Sequence, residues 1–127
     1  MYDLARPHIQ KLEQMGHKIT PPNCYDDPGC GARMKAELSP EKYSEWKASM
    51  LHKQVEKVKN SDAVLVMNFE KDAKANYIGG ATFLELYKAW ELGKKLFLYN
   101  PIPEGMLHDE IIGMNPVVIN GDLTKII

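Results

Sequence analysis

The run "DAVLVMNF", residues 62–69, narrows the folds open to this chain more than any other stretch. It is almost continuously apolar and rich in valine, which suits a strand buried on both faces of a parallel sheet. A second run of this kind, "KLFLYNP", begins at Lys95, and a shorter one, "VVING", begins at Val117. Between the first two lies "NYIGGATFLELYKAWELGKK", residues 76–95, a double-glycine turn followed by apolar residues at helical intervals. A short polar segment with a helical turn, "GMLHDEIIGM", leads to the last strand. Strands alternating with helices specify an α/β fold. The expected architecture is a three-layer sandwich around a small, mostly parallel sheet of the flavodoxin or Rossmann type, because right-handed crossovers put helices on both faces.

The N-terminal half reads differently. "RPHIQKLEQMG" spaces Ile9, Leu12 and Met15 as one side of a helix that Gly16 ends, and "HKITPP" follows as a short strand stopped by Pro21 and Pro22. Residues 23–40 have no period and read as a loop. "SPEKYSEWKASMLHKQVEKVKN" is a long amphipathic helix with Ser39 as N-cap and Pro40 at its first position. The usual first strand of such a fold is missing. In a 2-1-3-4-5 order it would be central, so its loss leaves two unpaired edges. Three arrangements answer this: a segment precedes the chain, the flanking strands pair directly, or a partner chain fills the gap.

At 127 residues the chain is expected to form a single domain, and its 26% charged residues are ordinary for a soluble protein. A formal net charge of −1 argues against nucleic acid as a partner, since no basic excess is present to neutralise phosphates. No apolar run reaches the ~18 residues of a membrane span, so no membrane partner is expected and a cytoplasmic location is the default reading. Cys24 and Cys30 supply two ligands where a structural zinc takes four, so no metal is expected; free thiols are the first reading and a loop disulfide the second. The methionines, Met106 and Met114 among them, read as core filling, and Trp46 and Trp90 as core or interface anchors.

In parallel sheets, ligands bind beyond the carboxyl ends of the strands. The loops there run from Asn68 through Gly80 and from Asn100 through Gly105. "T-F-L-E" fits a capping box, with Thr82 as N-cap and Glu85 reaching back to its amide. On a helical wheel Thr82, Leu86, Ala89 and Gly93 share one narrow face of mostly small residues that can lie close on a sheet. Glu85 lies about 60° from the centre of that face. It is thus placed at the rim of the carboxyl edge, beside the turn of Gly79 and Gly80, to serve as cap and as reactive group.

The segment "SDAVLVMNFEKDAKANYIGGATFLELYKAWELGKKLFLYNPIP", with the tail "MNPVVINGDLTKI", resembles the nucleoside 2-deoxyribosyltransferase-like superfamily. The shared pattern is a buried strand opening on Asp, a variable loop, a glycine turn, a helix carrying Glu, and "LGK" before the next strand. The resemblance covers residues 54–127 well and residues 8–22 more loosely. It implies that Glu85 is a nucleophile toward the anomeric carbon of a 2-deoxynucleoside, that no cofactor is needed, and that the chain is a homo-oligomer. Asn68, Asp72 and Asn76 would then meet the substrate, and Asn120 and Asp122 would complete a neighbouring subunit's site. Tyr2 and Asp3 would be the remnant of the family's first loop. Tyr87 stands where relatives carry a small residue, and it either crowds the site or faces outward. The activity implied is nucleoside deoxyribosyl transfer or deoxynucleotide N-glycoside hydrolysis. The other readings are a non-catalytic nucleotide-binding protein and a structural dimer in which Glu85 is only a cap.

Overall fold

The computed structural model describes residues 2–127, with side chains from residue 4 onward. The chain divides into two compact units, Tyr2–Lys57 and Val58–Ile127.

The first unit is helical. Helix α1 spans Tyr2–Gln14. Its end is a Schellman turn: Gly16 takes φ 97°, its amide bonds Glu13 O, and the His17 amide bonds Leu12 O. That left-handed position needs glycine, and it satisfies carbonyls the helix would otherwise leave open. Residues 17–22 do not form the expected strand; they take no regular structure and join no ladder among the described residues. Helix α2, Cys30–Glu37, lies inside the stretch expected to be loop. Its good helix formers (Ala, Met, Lys, Glu) are few, and the Pro, Gly and Asp before them mask the signal. Helix α3, Pro40–Lys59, begins as expected, with the Ser39 hydroxyl accepting from the Lys42 amide at 3.2 Å.

The second unit holds a three-stranded parallel sheet in the order β1-β2-β3, built from Ala63–Val66, Lys95–Leu98 and Val117–Val118. Val64 pairs with Leu96, Val66 with Leu98, and Leu98 with Val118. Paired residues share a face, so these side chains form one surface. Helices α4 (Gly80–Glu91) and α5 (His108–Met114) bury Leu86, Ala89, Ile111 and Met114 in the same core as that surface, joined by Val58 from the end of α3. Two crossovers of one hand, stepping in one direction across a sheet, place their helices on the same side. Direct pairing of the 17–22 segment with β1 is ruled out as the answer to the missing strand, because β2 is the only neighbour of β1 among the described residues.

The small face expected on α4 is present. Leu86 and Ala89 are wholly buried, and Ala89 leaves room for the helix to lie close on β1 and β2. Gly93 has a different part: at φ 73° it ends α4 in a second Schellman turn, with its amide on Trp90 O and the Lys94 amide on Ala89 O. Of the methionines read as core filling, Met114 is buried, whereas Met106 is 90% exposed. Met106 lies in the loop before α5, where no layer covers it.

Candidate functional site

The carboxyl edge of the sheet is tied together by Asn68. Its side chain is fully buried two residues past β1. Nδ2 donates to the carbonyls of Asn100 and Pro101, each at 3.0 Å, and Oδ1 accepts from the Asn100 amide at 2.8 Å. Asn100 answers by donating its Nδ2 to Asn68 O at 3.1 Å. Every polar atom of the Asn68 side chain is thus engaged by the loop after β2. Asn68 was expected to touch substrate; in this structure it holds the floor of the edge and has no donor left over.

Tyr99 and Phe69 extend this floor, their rings packed edge to face with centroids 5.1 Å apart. The amide of Gly121 bonds Tyr99 O, bringing the turn after β3 to the same edge. A Cβ at Gly121 would stand 3.3 Å from the Tyr99 hydroxyl, so glycine permits the close approach. Asn120 and Gly121, at φ 48° and 81°, are the central residues of a turn closed by Asp122 N to Ile119 O. This left-handed pair is what an Asn-Gly sequence favours. Asn120 is exposed. Asp122 caps the final 3-10 turn, accepting from the Thr124 amide at 3.1 Å and its hydroxyl at 2.6 Å. Both residues therefore lie at this chain's own carboxyl edge.

The loop between β1 and α4 is a small hairpin. Lys71 and Lys74 exchange backbone hydrogen bonds across Asp72 and Ala73, which take φ 51° and 62°. Positive φ at both central residues marks a type I′ turn. The Lys71 and Lys74 ammonium groups lie 5.3 and 6.0 Å from the Tyr77 ring centroid, folding the hairpin over that ring. Asp72 sits exposed at the tip. Asn76, half-buried at φ 56°, makes no side-chain hydrogen bond among the described residues.

The start of α4 departs from expectation. Gly79 is the N-cap and Gly80 the first helical residue, with Phe83 N on Gly79 O closing the first turn. Thr82 therefore sits inside the helix and cannot cap it, and the Thr82–Glu85 capping box does not form. The reason is conformational: Gly79 adopts extended φ −80°, ψ 171°, letting the helix begin three residues earlier than the T-x-x-E pattern suggests. A Cβ on Gly80 would meet no atom within 4 Å, so the helix start opens onto free space.

Glu85 is half-buried on α4. It lies about 7.5 Å along the axis from the first residue. Tyr87, about 160° around the helix from it, is 43% exposed. Of the two orientations open to Tyr87, the structure takes the outward one, and the ring does not crowd the carboxylate. His108 is partly exposed at the start of α5, its ring nitrogens 3.3 Å from Asp109 and 3.9 Å from Glu104. The side chains of Tyr2 and Asp3 lie outside the described residues.

In the helical unit, Cys24 and Cys30 are joined in a disulfide, so the free-thiol reading is corrected. The helix at Cys30 and the turn of Asp27 N onto Cys24 O bring the two residues to a Cα separation of 5.7 Å, inside the range for a bridge. Among the described residues no group of three or more His, Cys, Asp or Glu is arranged to hold a metal. Among the same residues no helix is long and apolar enough to cross a membrane.

Sequence reasoning missed Tyr77 and Tyr99. Their only signal was position, in the loops just beyond the ends of β1 and β2. Compared with known proteins, the chain matches no family model, no curated protein and no solved structure.

Proposed function

We propose that the chain is a nucleoside deoxyribosyltransferase or deoxynucleotide N-glycosidase in which Glu85 is the nucleophile. The observation that carries this reading is the setting of Glu85. It is half-buried on the flank of α4, five residues past the glycine that opens the helix, where an added Cβ would meet no atom within 4 Å. In the proposed reaction a carboxylate oxygen of Glu85 bonds the anomeric carbon as the bond to the base breaks. The electron pair leaves with the base, which takes a proton from water or a neighbouring donor. A second base or water then displaces the ester with net retention. Asn76 is the loop residue proposed to hydrogen-bond the leaving base, with Asp72 at the hairpin tip as the other. The chemistry requires no metal or cofactor.

Incubation with deoxynucleosides and deoxynucleoside monophosphates, followed by chromatography for released base, tests the proposal. The expected result is release that depends on Glu85; its absence from the full chain overturns the enzyme reading. Gly80→Ala sharpens the test. A methyl there meets open space and removes unfolded-state freedom, so the fold should gain about 0.4–1 kcal/mol by thermal or urea melting. Base release should fall with it if the ligand reaches from Glu85 to the helix start, about 140° around the helix; unchanged release confines the ligand to the Glu85 side.

A second reading, a non-catalytic nucleotide-binding protein, draws on the engagement of Asn68 and Asp122, which leaves fewer polar groups for chemistry. Ligand-dependent thermal stabilisation without base release would favour it. The finer architecture, a three-layer flavodoxin-like sandwich, and a cytoplasmic site of action are part of the same proposal.

The homo-oligomer is proposed to form through the outer face of α4. Leu84, Tyr87 and Trp90 are 50%, 43% and 46% exposed there, and the two rings lie 5.7 Å apart. Aromatic residues exposed together on one helix face are typical interface anchors. Trp90→Glu is expected to shift the protein to a monomer in sedimentation or light scattering; an unchanged mass refutes this interface.

A further inference from the structure

We infer that the Cys24–Cys30 disulfide is a reversible redox clasp that sets the shape of two neighbouring grooves in the helical unit. Pro21, Tyr25 and Asp26 line both, and Cys24 lines the larger one directly before Tyr25. On one side is an open groove of about 390 Å³ floored by Met34, Trp46 and Met50, and on the other a groove of about 250 Å³ beside Ile9 and Ile19. Tyr25 lines both; it is buried, with the Arg6 guanidinium 4.9 Å from its ring centroid. Any change in the path of the chain at residue 24 therefore alters two surfaces at once.

Cys24 is held in a conformation that L side chains rarely adopt, φ 65°. A left-handed position disfavours a residue with a Cβ unless its surroundings impose it. Here the constraint is the bond to Cys30, helped by Asp27 N on Cys24 O. The flanks of the loop are anchored without the bridge. Asn23 donates to Met50 O at 2.9 Å, and Lys57 donates to Pro21 O and Asn23 Oδ1 at 3.0 and 2.8 Å. At the far side Arg33 grips Asp27 through both nitrogens, and this hydrogen bonding holds the Asp27 carboxyl below its ordinary range. Breaking the bridge thus leaves residues 24–26, between fixed ends, to the weaker hold of local bonds such as the Tyr25 amide on Pro22 O. The enclosed loop is short, so the cross-link adds comparatively little to stability through loop entropy.

The chemistry is thiol–disulfide exchange with a small dithiol. Cys24 is half-buried and Cys30 buried, so the incoming thiolate bonds Cys24 Sγ. The S–S bond breaks and its electron pair goes to Cys30 Sγ, at the first turn of α2, where backbone amides favour a thiolate. The second thiol of the reagent resolves the mixed disulfide. The protein gains two electrons and two protons, and the reagent leaves as a cyclic disulfide.

Trp46 lines the same groove as the bridge, and Trp90 is the other tryptophan, so Trp90→Phe leaves Trp46 as sole reporter. The full-length Trp90→Phe protein would be equilibrated in buffers of reduced and oxidised dithiothreitol. Trp46 emission and hydrogen exchange of peptides from α1, residues 21–29 and α3 would be followed. The expected result is a reversible transition following the first power of the dithiol-to-disulfide ratio. Exchange in 21–29 should rise at least tenfold, with α1 and α3 within twofold of their oxidised values. Cys24→Ser should show the reduced signature in oxidising buffer. Reduction that leaves both loop exchange and Trp46 unchanged overturns the clasp. So does reduction only with exchange of every peptide together, which would make the bridge a simple staple. If Cys24→Ser does not fold, the wild-type cysteine pair in the Trp90→Phe background decides alone.

Discussion

Glu85→Gln is expected to lower base release from a deoxynucleoside by on the order of 10³-fold or more, the scale seen when a covalent nucleophile is removed. That loss corresponds to roughly 4 kcal/mol of transition-state stabilisation. The fold should survive with little change, and the structure explains why. Had Glu85 belonged to a capping box, its loss would carry a share of the ~0.5–2 kcal/mol that caps contribute. But α4 begins at Gly79 and Gly80, and Thr82 lies inside it. The amide at the same position keeps the shape and removes the charge. Chromatography of released base, beside a thermal melt of the same sample, reads both effects. A stable Glu85→Gln protein with wild-type turnover removes Glu85 from the mechanism.

Asn68→Ala is expected to give the largest loss of stability, about 2–4 kcal/mol, because it leaves the Asn100 amide and two carbonyls without their partner. Asn68→Asp is expected to do no better. It keeps the shape but turns the donating edge, which faces the carbonyls of Asn100 and Pro101, into a carboxylate. Urea unfolding measures both; a midpoint shift equivalent to under about 0.5 kcal/mol would mean the clip is not structural. The prediction separates the two parts proposed for this edge. Asn68 should cost stability first and activity as a consequence, whereas Glu85→Gln, which keeps the shape and an accepting oxygen, should cost activity far more than stability.

Much of the second unit was legible from the chain because its local signals agree. "DAVLVMNF" and "KLFLYNP" are apolar enough to be strands, and the spacing between them fits one helix; β2 is the interior strand, whereas β1 lies at the edge of the described sheet and alternates half-buried with buried residues instead of being buried on both faces. The fully buried Leu86 and Ala89 lie on the face that helical periodicity selects. Gly16 ended a helix where expected, since a left-handed residue after an amphipathic run is a strong local signal. The errors came where a local pattern had two solutions. "HKITPP" has strand propensity, but a strand exists only with a partner, and none among the described residues pairs with it. "T-F-L-E" fits a capping box, but the two preceding glycines let the helix start sooner.

Period and composition were enough to say which segments carry the parallel strands, which face of α4 is buried, and that Glu85 lies on the flank of that face; they misplaced it at the helix start, since no acid lies in the first turn. Those properties follow from period and composition, which are local. Tertiary structure alone decided what the polar residues of the edge do. Asn68 and Asp122 read as ligand contacts in the chain, yet one is consumed by carbonyls more than thirty residues away and the other by its own turn. Hydrogen-bond satisfaction depends on what the fold brings within 3 Å, and no single stretch contains that information. The same holds for the bridge between Cys24 and Cys30, which became possible once α2 and its preceding turn brought the two residues together.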